Sequence, residues 1–357
     1  MNKLTRLLGI DQPIVLGPFG GLSSIALTAL VSELGGLGSY GLYGYDAGRI
    51  SSTVAELRAA TAHPFAVNLW LPLGDEATPQ NSSAEFESSR EALRPFFDEL
   101  GLELPEPPER YLPSIDEQLE AVLESRPAVV SFVFGVPSAE FMAAAKERGI
   151  IIVGTATTVD EAVALERGGV DAVVATGAEA AGHRVSFLRT AEDSLVGTFA
   201  LIPQVTDAVD VPVIAAGGIA DRRGAAAALA LGADGIQVGS AFLRTRESAA
   251  TDAHRQAIAS AAAHDTVLTR AMSGRLARGI PNRAMRQVES TGAVAPFPAQ
   301  NWLTGRFRAE SGRIGQGDLQ SLWAGQAAGL SQYESAAEVF AELAAGLGSG
   351  RPSRPGN

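Results

Sequence analysis

Eight short apolar runs, each followed by a stretch with helical character, constrain this chain more than any other feature. They fall near 13–19 (PIVLGPF), 37–43 (LGSYGLY), 64–71 (PFAVNLWL), 128–135 (AVVSFVFG), 150–156 (IIIVGTA), 171–176 (DAVVAT), 212–217 (PVIAAG) and 235–242 (GIQVGSAF). Runs of this length between helical patterns are the signature of βα units on a parallel sheet. Several end at Gly or Pro and lead into a Ser, Thr or Asp able to cap the next helix. Eight such units close into a (β/α)8 TIM barrel of the α/β class using only right-handed crossovers, whereas an open doubly wound sheet needs fewer strands. The count selects the barrel.

Two stretches exceed that plan. Residues 73–126 hold a polar PLGDEATPQNSS lead-in, a charged helix near 84–100, a Pro-rich turn (LPEPPERYLP) and a second helix near 114–125. A usual βα loop is far shorter, so this is an inserted helical excursion with a functional or interfacial role. Residues 246–346 read as helical, with Gly/Pro-rich breaks at 279–282 and 292–298, and are expected to pack over the barrel mouth. The expected division is therefore a barrel over 1–245 carrying the 73–126 insertion, a C-terminal helical region over 246–346, and a disordered tail over 347–357.

Composition narrows the chemistry by exclusion. With no cysteine there is no disulfide, thiolate metal site or cysteine nucleophile, and no metal site is expected. A net charge of −12 disfavours a nucleic-acid partner, which needs a basic face. No apolar stretch approaches the roughly 20 residues of a membrane-spanning helix, and the N-terminus has no secretory pattern, so no membrane partner and a cytoplasmic location are expected. A homo-oligomer is compatible with all of this.

Among the motifs, Gly36-Leu37-Gly38-Ser39-Tyr40-Gly41 matches G-x-G-x-x-G in the wrong context, since a helical stretch precedes it and a strand follows. No P-loop pattern occurs. The stretch 212–243 is more informative. One strand ends on Gly217-Gly218, Asp221 opens a helix, and the next strand carries Gln237 and ends on Gly239-Ser240. Glycines at the ends of the last two barrel strands let backbone amides approach an anion, and a helix N-terminus adds partial positive charge. Gly17-Pro18-Phe19-Gly20-Gly21 closes the first strand, where bare backbone can pass under a flat ligand or form an ordinary turn. Asn68 in VNLW could donate to a ligand or be a bonded core amide.

His183 is the candidate catalytic residue. It follows the apolar run 172–176 and the small-residue loop Gly177-Ala178-Glu179-Ala180-Ala181-Gly182, where a barrel places reactive side chains. His63 beside Pro64, and His254 and His264 in an Ala-rich stretch, read as surface positions.

Taken in order, GPFGG, VNLW, ATGAEAAGHR, PVIAAGGIADRRG and ALGADGIQVGSAFL resemble the nitronate monooxygenase family, formerly called 2-nitropropane dioxygenases. The likeness continues in TRAMSGRLARGIPNR and LQSLWAGQAAG. It implies non-covalent FMN, with Gly17, Pro18 and Phe19 beneath the ring and Asn68 at its polar edge. Gly182, Gly217, Gly218, Gln237, Gly239 and Ser240 would lie near the ribityl chain and phosphate. It also implies that His183 is catalytic. Thr176-Gly177 stands where the family usually has Gln-Gly, and Ala181 where it has Gly, so flavin contacts at Thr176, Gly177 and Ala181 are expected to differ.

The reaction implied is oxidation of an alkyl nitronate, or a neutral nitroalkane, by O2 to a carbonyl compound and nitrite. A neutral imidazole of ordinary pKa, about 6.5, suits removal of a proton next to a nitro group. Arg184 and Ser186 are further candidates for substrate contact. Two other readings stay open: an NAD(P)H-dependent FMN reductase of the quinone or enoyl-acyl-carrier-protein type, and a non-redox barrel that binds a phosphometabolite.

Overall fold

A computed structural model describes residues 2–348. Among them, eight parallel strands form the barrel: β1 (Ile14–Leu16), β2 (Gly38–Gly41), β3 (Phe65–Trp70), β4 (Val129–Val133), β5 (Ile151–Ala156), β6 (Ala172–Thr176), β8 (Val213–Ala216) and β9 (Gly235–Val238). Each lies within a run expected from sequence. The order β1-β9-β8-β6-β5-β4-β3-β2 brings the ends of the sheet together, and a bridge between Val15 and Leu37 joins them. Leu16 N–H donates to Leu37 O at 2.9 Å across that seam.

Side-chain alternation explains the two apolar layers. Outward residues such as Leu16, Val67, Phe132, Ile152, Val173 and Ile236 meet the surrounding helices in the main core. Inward residues Val15, Ala66, Val129, Val153, Val174 and Ile214 form a smaller one, plugged by Leu4 and Leu8 of the helix Lys3–Leu8. This plug fills the N-terminal end and leaves the C-terminal end open. The expected caps are in place: the side chains of Ser138, Thr158 and Asp221 each accept a backbone N–H in the first turn of the following helix.

The excursion divides in two. Its second helix, Ile115–Ser125, packs against Ala47–Ala60 in the barrel's outer ring. Its first, Ser83–Glu99, leaves the barrel and packs against Ala299–Arg313 and Arg283–Thr291. Phe86, Phe96 and Phe97 share a separate core there with Met285, Leu303 and Phe307. Segments some 200 residues apart thus build one cap.

Residues 246–346 were expected to be helical, and this needs correction. β10 (Val267–Thr269) and β11 (Ala277–Gly279) lie within them, and β11 pairs antiparallel with a further strand, β7 (Gly182–His183). At three residues each, these strands are too short for their alternation to stand out from a helical pattern. Ala336–Leu347 returns to the barrel wall against Arg222–Ala230 and Ile25–Glu33. Of the tail expected at 347–357, Leu347 ends that helix and Gly348 is its C-cap; residues 349–357 lie outside the described residues. Among the described residues no helix is long and apolar enough to cross a membrane, and no acidic or histidine cluster could hold a metal.

Candidate active site

The open end of the barrel leads into a cavity of about 600 Å3 roofed by the cap. One side is a glycine cradle. Gly217 and Gly218 have φ of 96° and 72°, a conformation side chains rarely adopt, so the chain turns here with bare backbone towards the cavity. Gly239 differs. Its φ of −108° suits any residue, but a Cβ would lie 3.6 Å from Phe19 Cε1, so side-chain bulk would intrude on the cavity. Ser240 Oγ accepts from Gly325 N at 3.0 Å, which ties the cap to the cradle. Gly17, Pro18, Asn68, Thr176, Ala181, Gly182 and Gln237 also line this space.

The expected helix-dipole contribution is changed. Asp221 accepts from Arg223 N and Gly224 N, so a carboxylate already occupies the N-terminus of Arg222–Ala230. An anion here would meet loop amides rather than that helix end. Glu179 likewise caps Thr198–Ala208 by accepting from Thr198 N and Oγ1. Asn68 is buried and its amide donates to Ser131 O and Oγ, at 3.2 and 3.0 Å.

Three expected residues do not line the cavity. Arg184 is buried and points back at the barrel, donating to Gly177 O and Thr176 O at 2.9 and 3.0 Å. Its guanidinium fixes the ends of β6 and its loop. Ser186 shares a hydrogen bond with Thr157 Oγ1 at 2.8 Å. A Cβ on Gly177 would meet Thr198 Oγ1 at 1.9 Å, so this glycine admits a helix rather than a ligand.

His183 occupies the opposite side, where β7 pairs with β11 and aims the ring into the cavity. Its Nε2 lies 2.8 Å from Ser273 Oγ, and that hydroxyl donates to Arg275 O at 3.0 Å. With the hydroxyl proton committed to the carbonyl, Nε2 is the donor and Nδ1 keeps its lone pair. Burial, then the positive charges of Arg275 and Arg308, push its pKa down to about 3. The ordinary value expected from sequence is not maintained, because the assembled cap buries the ring and the charges of Arg275 and Arg308 add to that effect.

Trp70 and Trp323 flank the imidazole, with ring centroids 4.8 and 5.6 Å away. Arg308 lines the same cavity and has no carboxylate partner among the described residues; its Nη groups bond Ser321 Oγ and Asn301 Oδ1, both at 2.8 Å. Burial lowers its pKa to about 10, leaving it cationic at neutral pH. Among the described residues, three buried side-chain nitrogens lack a partner, and two of them, Arg308 Nε and Gln320 Nε2, belong to residues lining this cavity. Asn301 Nδ2 donates to the Tyr43 hydroxyl at 3.1 Å, and burial raises the Tyr43 pKa so that the phenol keeps its proton.

His254 was expected at the surface. It is buried, with Nε2 2.9 Å from Trp323 O, and burial lowers its pKa to about 4. Sequence reading also missed Tyr43, Trp70, Ser273, Phe297, Asn301, Arg308 and Trp323. Trp70 lies in the quoted VNLW, and Ser273 and Trp323 lie in TRAMSGRLARGIPNR and LQSLWAGQAAG, where the likeness continues without assigned roles.

Comparison with known proteins adds to this geometry. The family model described as nitronate monooxygenase matches residues 1–346. A probable nitronate monooxygenase of Staphylococcus aureus (strain JH9) is 37% identical over 349 residues, covering 96% of each chain. The crystal structure of nitroalkane oxidase from Streptomyces ansochromogenes is 36% identical, with a TM-score of 0.84 over 96% of this chain and 97% of that one. FabK from Thermotoga maritima is 28% identical, with a TM-score of 0.75 over 97% and 96%.

Proposed function

The chain belongs to the nitronate monooxygenase family and is an oxidoreductase, and from that premise we propose that it uses FMN and O2 to oxidise alkyl nitronates to a carbonyl compound and nitrite. The observation that carries this reading is one cavity holding both a backbone cradle and a buried cation, Arg308, that no carboxylate among the described residues pairs. FMN fits the cradle: Gly217 and Gly218 hold a positive φ that residues with side chains rarely adopt, and Gly239 leaves open the space beside Phe19. Gly182, Gln237 and Ser240 would hold its chain and phosphate, with Gly17, Pro18 and Phe19 against the ring and Asn68, Thr176 and Ala181 near its edge. Bound there, FMN supplies the redox chemistry that couples the substrate to O2.

The chain's own residues favour an anion as substrate. Arg308 provides charge-assisted donors in a desolvated site, where such bonds are strong. Tyr43 accepts from Asn301 and keeps its own hydrogen to donate. His183 can receive a proton at Nδ1, but burial, with the nearby positive charge adding to it, makes the ring a weak base. A preformed nitronate is therefore the better substrate, and a neutral nitroalkane the poorer one. Trp70, Trp323 and Phe297 exclude water around the imidazole.

The likeness to FabK keeps a hydride-accepting FMN reductase as the second reading. Anaerobic mixing separates the two. The purified protein should be yellow with one FMN per chain, lose that colour rapidly with ethylnitronate, and respond slowly to NADH. Rapid bleaching by NADH with no response to nitronate would decide for the reductase, and a colourless protein that FMN cannot reconstitute would remove both.

A further inference from the structure

A second cavity, of about 340 Å3, adjoins the first behind Tyr43, Trp70 and Phe297, which line both. The excursion supplies its outer wall through Ala77, Tyr111 and Leu112, and the end of β3 supplies its floor. Trp70 links the two spaces. Its ring meets His183 at 4.8 Å on one side, and Tyr43 at 4.4 Å and Phe297 at 6.0 Å elsewhere.

We propose that this chamber is the subsite for the unbranched alkyl tail of the substrate, whose nitro end lies at His183; the assignment rests on the nitronate reading above. The walls are mostly apolar or aromatic. Of the charged lining residues, Glu109 and Arg110 are exposed, and the buried Arg275 bonds Asp75 and Glu76 and lies 4.2 Å over the Phe297 ring, so its charge is already balanced and offers little to an anionic occupant. The volume lies at the low end of the ~300–1,000 Å3 typical of small-molecule sites, which suits an aliphatic chain. A narrow methylene chain needs less displacement of the aromatic wall than any ring system would. Such a subsite also gives the excursion a function that loop closure alone does not supply.

Leu112→Trp and Thr78→Trp would each fill the chamber from its outer side, away from His183, and Thr78 is exposed enough to accept the change. Calorimetric titration of the FMN-loaded protein with 1-octanol should show binding that both variants weaken at least tenfold. With nitronates of two, four and eight carbons, wild-type kcat/KM should rise by up to about fourfold per buried methylene. The variants should lose that rise while ethylnitronate turnover stays within twofold. Absence of octanol binding, or binding that neither variant weakens, would overturn the subsite. So would a flat chain-length series with normal ethylnitronate turnover. Octanol binding lost in both variants without turnover of any nitronate would instead defeat the nitronate reading, and this choice of occupant with it.

Discussion

His183 owes its chemistry to three residues far from it in sequence. Ser273 fixes the ring tautomer, while Arg275 and Arg308 help hold it neutral. A group with a pKa near 3 does not titrate between pH 5 and 8, so turnover of preformed nitronate should show no histidine step in that range. A rise centred near pH 6.5 that disappears in His183→Asn would refute the depressed value. The same variant should retain FMN and lose about 10²–10⁴-fold of its activity on neutral nitroalkanes, the usual cost of removing a general base. Nitronate activity should fall less, since that proton is already gone. Equal losses on both forms, with FMN still bound, would make His183 an orienting group. Its neighbour Arg184 illustrates the limit of reading adjacent residues together. In β7 successive side chains point to opposite faces, so Arg184, just beyond it, turns into the barrel while His183 faces the cavity.

At the scale of elements, the barrel strands and their caps were legible because each is specified locally. An apolar run between Gly or Pro residues and a capping side chain needs no distant partner to be recognised. The glycine-ended strands β8 and β9 were legible for the same reason. Their two glycine types should respond differently to substitution. Gly239→Leu carries no backbone penalty and should give a folded, colourless protein, checked by far-UV circular dichroism and flavin absorbance. Gly218→Ala forces a left-handed conformation on a residue with a Cβ and should lower stability by about 1–2 kcal/mol, read from urea unfolding. Flavin retained at full occupancy in Gly239→Leu would show that the cradle lies elsewhere. β10 and β11 were missed because three residues are too few to show an alternating pattern, and the third strand of their sheet, β7, lies some 90 residues away in the chain.

For the whole molecule, the cap is the decisive feature. The helix Ser83–Glu99 and the helices after residue 280 bury one another's aromatic faces, roofing the barrel and carrying Arg308, Phe297 and Trp323 to the cavity. Assembly of the cap over the barrel also buries His254. Its folded pKa of about 4 lies below the unfolded value of about 6.5, so the unfolded chain binds more protons between those limits. Stability should therefore fall as pH falls through that window, by about 1–2 kcal/mol between pH 7 and pH 5 from this residue. Urea midpoints at the two pH values would measure it. His254→Gln should reduce the difference, and an unchanged difference would assign the acid sensitivity to other groups.

The sequence by itself determined the barrel, the strand order along the chain, the glycine-ended strands β8 and β9 and the placement of His183 beyond the C-terminal end of β6. Those features depend on periodicity, turn chemistry and position at strand ends, all of them local. Only the tertiary structure decided which side chains complete the site, which way Arg184 and Ser186 point, and how basic His183 is. These depend on contacts in space, some near along the chain, as from Arg184 to Gly177, and others 90 residues apart, as from His183 to Ser273. Electrostatic potential at a buried atom is a sum over spatial neighbours, and the chain order does not list them.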